Sequence, residues 1–257
     1  MSDQPPESRE SPASPPPAGT VGPETVERFG RPLRHFPVAV SVDAMALAWA
    51  NREDGPHRAT VTVDHEIGAR GFRGSVWRAA PADSLVCAVV LRPGLAAEEG
   101  DVSWLVGGLA ALEGAEALSS RSLAAWWPAT VVEGPGRTEV AAVKADVQLG
   151  PGRVKSVVLT MRFCLSGLGL GAEQRDELLE SVLRAVDHSA ERLDEGPAAV
   201  AAAYQSRCAV LGQRVKVKLR PKGETRGTAR GIDRAARLEL ASASGMIERV
   251  GIDQLLD

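Results

Sequence analysis

The chain changes its pattern once, near Gly212, and that change limits what it can fold into. From about residue 30 to 195, extended and helical signals alternate. Phe36 to Val40 and the alternating Ala59 to Val63 read as strands. Ser84 to Leu91 is a continuous apolar run suited to a central strand. Ala44 to Asn51 and Trp104 to Leu118 read as helices, the second despite an internal Gly107-Gly108. Val140 to Val147 and Val154 to Leu165 read as two strands joined by Gly150-Pro151-Gly152. Leu178, Leu179, Val182, Leu183 and Val186 then recur at helical spacing, and Gly196-Pro197 ends that helix and opens the next. After Gly212 only short strands and turns follow: Val215 to Leu219, Thr225 to Ile232, Leu238 to Leu240 and Ile247 to Val250. The reading is an α+β unit with a mixed sheet over 29–196, then a linker helix and a small β-barrel over 197–257.

Residues 1–28 are expected to be a disordered tail, because seven of the 17 prolines fall in the first 25 residues. Lys and Arg total 30 against 33 Asp and Glu, a net charge of -3, which excludes a general attraction to nucleic acid or an anionic membrane. Trp104 to Leu112, the most apolar run, is far below the ~20 residues that cross a bilayer. Cys87, Cys164 and Cys208 are too scattered for a disulfide framework, which fits a cytoplasmic setting. The four histidines lack metal-ligand spacing, so no metal site is expected.

Chemistry concentrates in Ala69-Arg70-Gly71-Phe72-Arg73-Gly74-Ser75-Val76-Trp77. Glycines let a backbone approach a ligand closely, and arginines bring forked donors for phosphate or carboxylate. Arg70 and Arg73 read either as ligand-binding groups or as solvated loop residues. Trp77 and Trp127 read either as stacking platforms or as core and wall residues.

The order of these motifs resembles the biotin protein ligases, in the form that lacks a DNA-binding domain, over residues 35 to 257. The family's glycine-arginine loop is matched at Arg70, Gly71, Gly74 and Trp77, and Glu66 stands where the family has a glutamine. Trp127-Pro128 keeps the frame of a Lys-Trp-Pro-Asn-Asp motif, with Ala129 and Thr130 in place of its last two residues. Glu139 takes the place of a lysine facing the acyl-adenylate, and Lys144, five residues on, is expected on the opposite strand face. Thr160-Met161-Arg162-Phe163-Cys164 replaces Gly-x-Gly-x-Asn. Gly227-Thr228-Ala229-Arg230-Gly231-Ile232-Asp233 follows the family closely.

The resemblance implies a biotin/lipoate-ligase-like domain with an SH3-like C-terminal barrel. It also implies ATP with Mg2+, biotin as substrate or ligand, a biotin carboxyl carrier domain as partner, and a possible homodimer. The family reaction makes biotinyl-AMP and passes biotin to a carrier lysine. Arg70 and Glu139 are the candidate catalytic positions. Glu66, Arg70, Gly71, Arg73, Gly74, Trp77 and Trp127 are the candidate ligand-binding residues. The missing polar groups imply a reaction weakened or lost, because developing charge on a phosphate needs positioned donors. The alternative is a non-catalytic relative that binds a small acid, a nucleotide or a protein.

Overall fold

The computed structural model describes residues 24–52, 55–71 and 74–256. Its larger unit is an eight-stranded sheet in the order β1-β2-β3-β4-β8-β7-β6-β5. The strands are β1 (Thr25–Arg28), β2 (Arg31–Ala39), β3 (Thr60–Glu66), β4 (Ser84–Leu91), β5 (Leu123–Trp126), β6 (Thr130–Glu133), β7 (Thr138–Gly150) and β8 (Arg153–Cys164). β2 and β3 pair in parallel, and all other neighbours are antiparallel. The expected tail boundary at residue 28 moves back, because Thr25 to Arg28 pair with Arg34 to Arg31. The rest of that tail lies outside the described residues.

Two apolar layers enclose the sheet. On one face, α1 (Val42–Arg52) places Val42, Ala46, Trp49 and Ala50 against Val61, Val63, Val86, Ala88, Val90 and Val158. On the other face lie α2 (Val102–Glu116), α4 (Arg175–Asp194) and α5 (Pro197–Ser206), with the short α3 (Leu165–Leu168) following β8. α2 is buried from Leu105 to Leu112, so glycine serves there as a contact surface. A Cβ on Gly107 would come within 2.6 Å of Val143, one on Gly108 within 2.7 Å of Tyr204, and one on Gly114 within 2.6 Å of the Val182 Cα. Without these glycines β7, α5 and α4 could not approach α2 as they do.

The C-terminal unit is a four-stranded antiparallel sheet of β9 (Arg214–Lys218), β10 (Glu224–Ile232), β11 (Leu238–Ala241) and β12 (Ile247–Val250). A bridge between Leu219 and Leu255 brings its two ends together. One hydrophobic core runs from the large sheet through Tyr204 and Val210 to Ile232, Leu238 and Val250.

One irregularity in β7 matters for the site. Val131 pairs with Ala141 but Val132 pairs with Glu139, so Val140 is an extra residue. An extra residue reverses the alternation of faces. The expectation that Lys144 and Glu139 lie on opposite faces is therefore corrected: both project from the α1 side of the sheet.

Candidate functional site

The described residues on either side of the glycine-arginine loop are tied together by backbone bonds. The Gly71 N–H donates to Ser75 O at 2.8 Å, Gly74 N–H to Gly71 O at 3.3 Å, and Trp77 N–H to Ala69 O at 3.3 Å. Gly74 has φ +84°, a conformation that suits glycine. Gly71 is buried, and a Cβ there would come within 2.8 Å of Ser75 Oγ and 3.6 Å of the Ala142 Cβ. The loop therefore rests on β7 at Ala142, the residue that faces Arg162 across the strand pair. Arg70 is exposed, and its Nη1 donates to Gly74 O at 3.3 Å. Phe72 and Arg73 lie outside the described residues, so the site role expected for Arg73 falls there too.

Below the loop the sheet face is filled by a buried ion pair. Arg162 Nε and Nη2 each reach a different oxygen of Glu66 at 2.8 Å, and both side chains are 1% exposed. Glu66 also accepts the Val42 N–H at 2.9 Å, which caps the first turn of α1. Nearby, Lys144 pairs with Asp43 and, at 3.0 Å, with Asp146. Although burial opposes it, those two carboxylates hold the Lys144 ammonium above its ordinary value. Burial likewise opposes the shift of Asp43, which Lys144 and Ser41 pull below the usual carboxylate range.

Beside this cluster is a cavity of about 630 Å³, with Ser75 to Ala79 on one side and Glu139 and Cys164 on the other. Glu139 is exposed on the rim of this cavity, and what burial it has pushes its carboxyl up. Among the described residues no cation pairs with it. Trp77 is half-buried as a wall, its Nε1–H donating to Ser84 Oγ at 3.2 Å. Behind Cys164, Asp83 accepts from the Ser166 N–H at 2.8 Å and its hydroxyl at 2.5 Å. Those bonds hold the Asp83 carboxyl down against the opposing effect of burial.

Glu66, Arg70, Gly71, Gly74, Trp77 and Glu139 thus gather around one sheet face. Trp127 does not join them. It is buried, donates from Nε1 to Ala236 O at 2.9 Å, and lines a separate cleft of about 590 Å³ against β9. Sequence reasoning missed Arg162. The available signal was an arginine inside the mostly apolar run Val157 to Leu165, where a charge must find a buried partner. Among the described residues no three His, Cys, Asp or Glu groups converge as a metal site.

Comparison with known proteins places this geometry. Residues 210–251 match the family model for the biotin protein ligase C terminal domain. The solved biotin protein ligase of Aquifex aeolicus in complex with biotin and ATP superposes with a TM-score of 0.66 at 17% identity, over 85% of this chain and 94% of that one. A biotin protein ligase-like protein of unknown function from Silicibacter sp. gives 0.66 at 15% identity, over 90% and 98%. The biotin acetyl coenzyme A carboxylase synthetase of Helicobacter pylori with bound biotinylated ATP gives 0.59 at 15%, over 84% and 98%. No curated protein sequence matches the chain. The chain is a divergent, biotin protein ligase-like protein in fold, and it carries that family's C-terminal domain.

Proposed function

We propose that this chain uses the biotin protein ligase scaffold to bind a small ligand and does not activate biotin. The observation that carries this reading is the Arg162–Glu66 pair. The family motif puts a glycine, which has no side chain, where Arg162 stands. Here a guanidinium and its carboxylate partner fill the sheet face directly under the glycine loop. Evicting a buried, doubly hydrogen-bonded pair to admit a ligand would leave charges uncompensated.

The electrostatics point the same way. Making an acyl-adenylate brings a carboxylate to a triphosphate, and donors must offset the charge that develops. Glu139 adds a negative charge at the place of the family's lysine, and loss of one such donor typically costs about 3 kcal/mol in the transition state. A Mg2+ ion for the family reaction would have to arrive on the nucleotide's phosphates, since the described residues form no cage for it. The three cysteines are free thiols, which supports a reducing compartment such as the cytoplasm.

A second reading rests on the extra residue in β7. It brings Lys144 to the ligand side, where a residual ligase would use it in place of the lost lysine, with a biotin carboxyl carrier domain as acceptor. Lys144 is held by two carboxylates, which lowers its value as a phosphate donor. Biotin-dependent ATP–pyrophosphate exchange on the purified chain, with lipoate and octanoate alongside, decides between the two. No exchange with any acid is expected. Exchange that Lys144→Ala abolishes would establish the second reading.

A further inference from the structure

We propose that the open edge of β9 takes an extended peptide segment of a partner protein as an added antiparallel strand, with acidic side chains at alternate positions of that segment. This is a second site, independent of the chemistry at the glycine loop.

β9 is the last strand of its sheet, so one of its edges faces no other strand of that sheet. Its register with β10 sets which backbone groups point that way. Lys218 stands opposite Glu224, and the Leu219 N–H donates to Gly223 O at 3.0 Å, so Val215, Val217 and Leu219 bond inward. The N–H and C=O groups of Arg214, Lys216 and Lys218 therefore point outward. At one end this edge already holds a short antiparallel neighbour. Lys218 O accepts the Leu256 N–H at 2.9 Å, the Arg220 N–H donates to Gln254 O at 2.8 Å, and Leu219 bridges Leu255. The outward groups of Arg214 and Lys216 meet no partner among the described residues. A row of unpaired N–H and C=O groups is a template for one more strand.

The surroundings say what that strand carries. The cleft of about 590 Å³ borders all of β9 and leaves room for a guest backbone. Arg214, Lys216 and Lys218 are exposed on one strand face, and Arg137 lines the same cleft, 4.5 Å over the Trp126 ring. Among the described residues no Asp or Glu lines the cleft. Lys216 pairs with Glu224, and Arg137 donates to the Gln213 amide oxygen. Arg214 and Lys218 have no carboxylate partner among the described residues. Side chains directly opposite in a strand pair lie about 4.5–5.5 Å apart, so alternate guest residues face these cations and favour carboxylates. The residues between them fall on the face of Val215 and Val217, which pack on the core, and favour apolar groups. Nucleic acid matches the charge but not the edge, because a phosphodiester backbone has no N–H to meet the outward carbonyls.

Fluorescein-labelled hexapeptides, titrated into the full chain and followed by anisotropy, test this. The first alternates glutamate and valine, and the second has lysine in place of glutamate. The third is the first with its glutamate amides N-methylated, which removes the donors aimed at β9 and keeps the charge. The glutamate peptide is expected to bind at least about tenfold more tightly than the lysine peptide, the worth of two opposite-charge pairs in place of two like-charge ones. N-methylation should weaken binding by about tenfold or more. Arg214→Glu/Lys218→Glu should reverse the charge preference. Both side chains are exposed, so the variant should fold, which circular dichroism checks. Lysine-peptide binding as tight as that of the glutamate peptide, or N-methylated peptide binding unchanged, overturns the proposal. So does tighter binding of oligothymidylate, which makes nucleic acid the occupant. A dimer of the peptide-free chain that Arg214→Glu/Lys218→Glu dissolves overturns it as well, because a second copy then fills the edge.

Discussion

Arg162 and Glu66 show how two residue changes become one structural feature. Neither charge is tolerable alone in a site 1% exposed, but together they compensate each other's charge, and Glu66 caps α1 through the Val42 N–H. Glu66→Ala should therefore destabilise the fold by about 3–5 kcal/mol, because it leaves a buried guanidinium uncompensated. The double variant Glu66→Gln/Arg162→Met removes both charges and keeps an acceptor for Val42, and should recover most of that loss. Urea denaturation of the three proteins measures the effect. A double variant as unstable as Glu66→Ala would show that the pair's charges are not what matters.

At the level of elements, α2 is the central case. Its sequence looks weak as a helix because Gly107, Gly108 and Gly114 each sacrifice propensity. Packing reverses the sign. Replacing Gly114 with Ala should gain up to about 1 kcal/mol of helix propensity. The added Cβ would stand 2.6 Å from the Val182 Cα, and a backbone atom cannot move aside as a flexible side chain can. Such overpacking costs about 1–3 kcal/mol, so the net effect should be destabilising. A lower thermal midpoint for Gly114→Ala is the expected result, and a raised midpoint would mean that α4 shifts freely.

Across the whole molecule, the two sheets share one core and are joined by defined contacts. The Trp127 Nε1–H reaches Ala236 O, Ala125 bridges Cys208, and Gln205 accepts the Ile232 N–H at 3.1 Å. Trp127→Phe should keep most of the packing and leave the buried Ala236 carbonyl short of a donor, a loss of about 1–3 kcal/mol. Because the core is continuous, the variant should still unfold in one transition. Tryptophan fluorescence and far-ultraviolet circular dichroism followed through the same urea titration would test this, since separate midpoints would mean that the C-terminal sheet folds on its own.

The sequence alone determined the long strands and helices of the larger unit, the switch to short strands after Gly212, and the glycine loop. These are local matters of periodicity and turn chemistry. β4 spans Ser84–Leu91 as its apolar run predicts, and β12 spans Ile247–Val250. Tertiary structure decided what local signals do not encode. β1, β5 and β6 are four-residue strands whose extended form depends on their neighbours in the sheet. The extra residue at Val140 moved Lys144 to the face it shares with Glu139, which residue spacing read without a partner strand places wrongly. The pairing of Arg162 with Glu66 spans 96 positions in the chain, a separation that no periodic pattern reports. Burial and charge compensation are properties of a closed surface, so the content of the site became readable only once the sheet had brought those residues together.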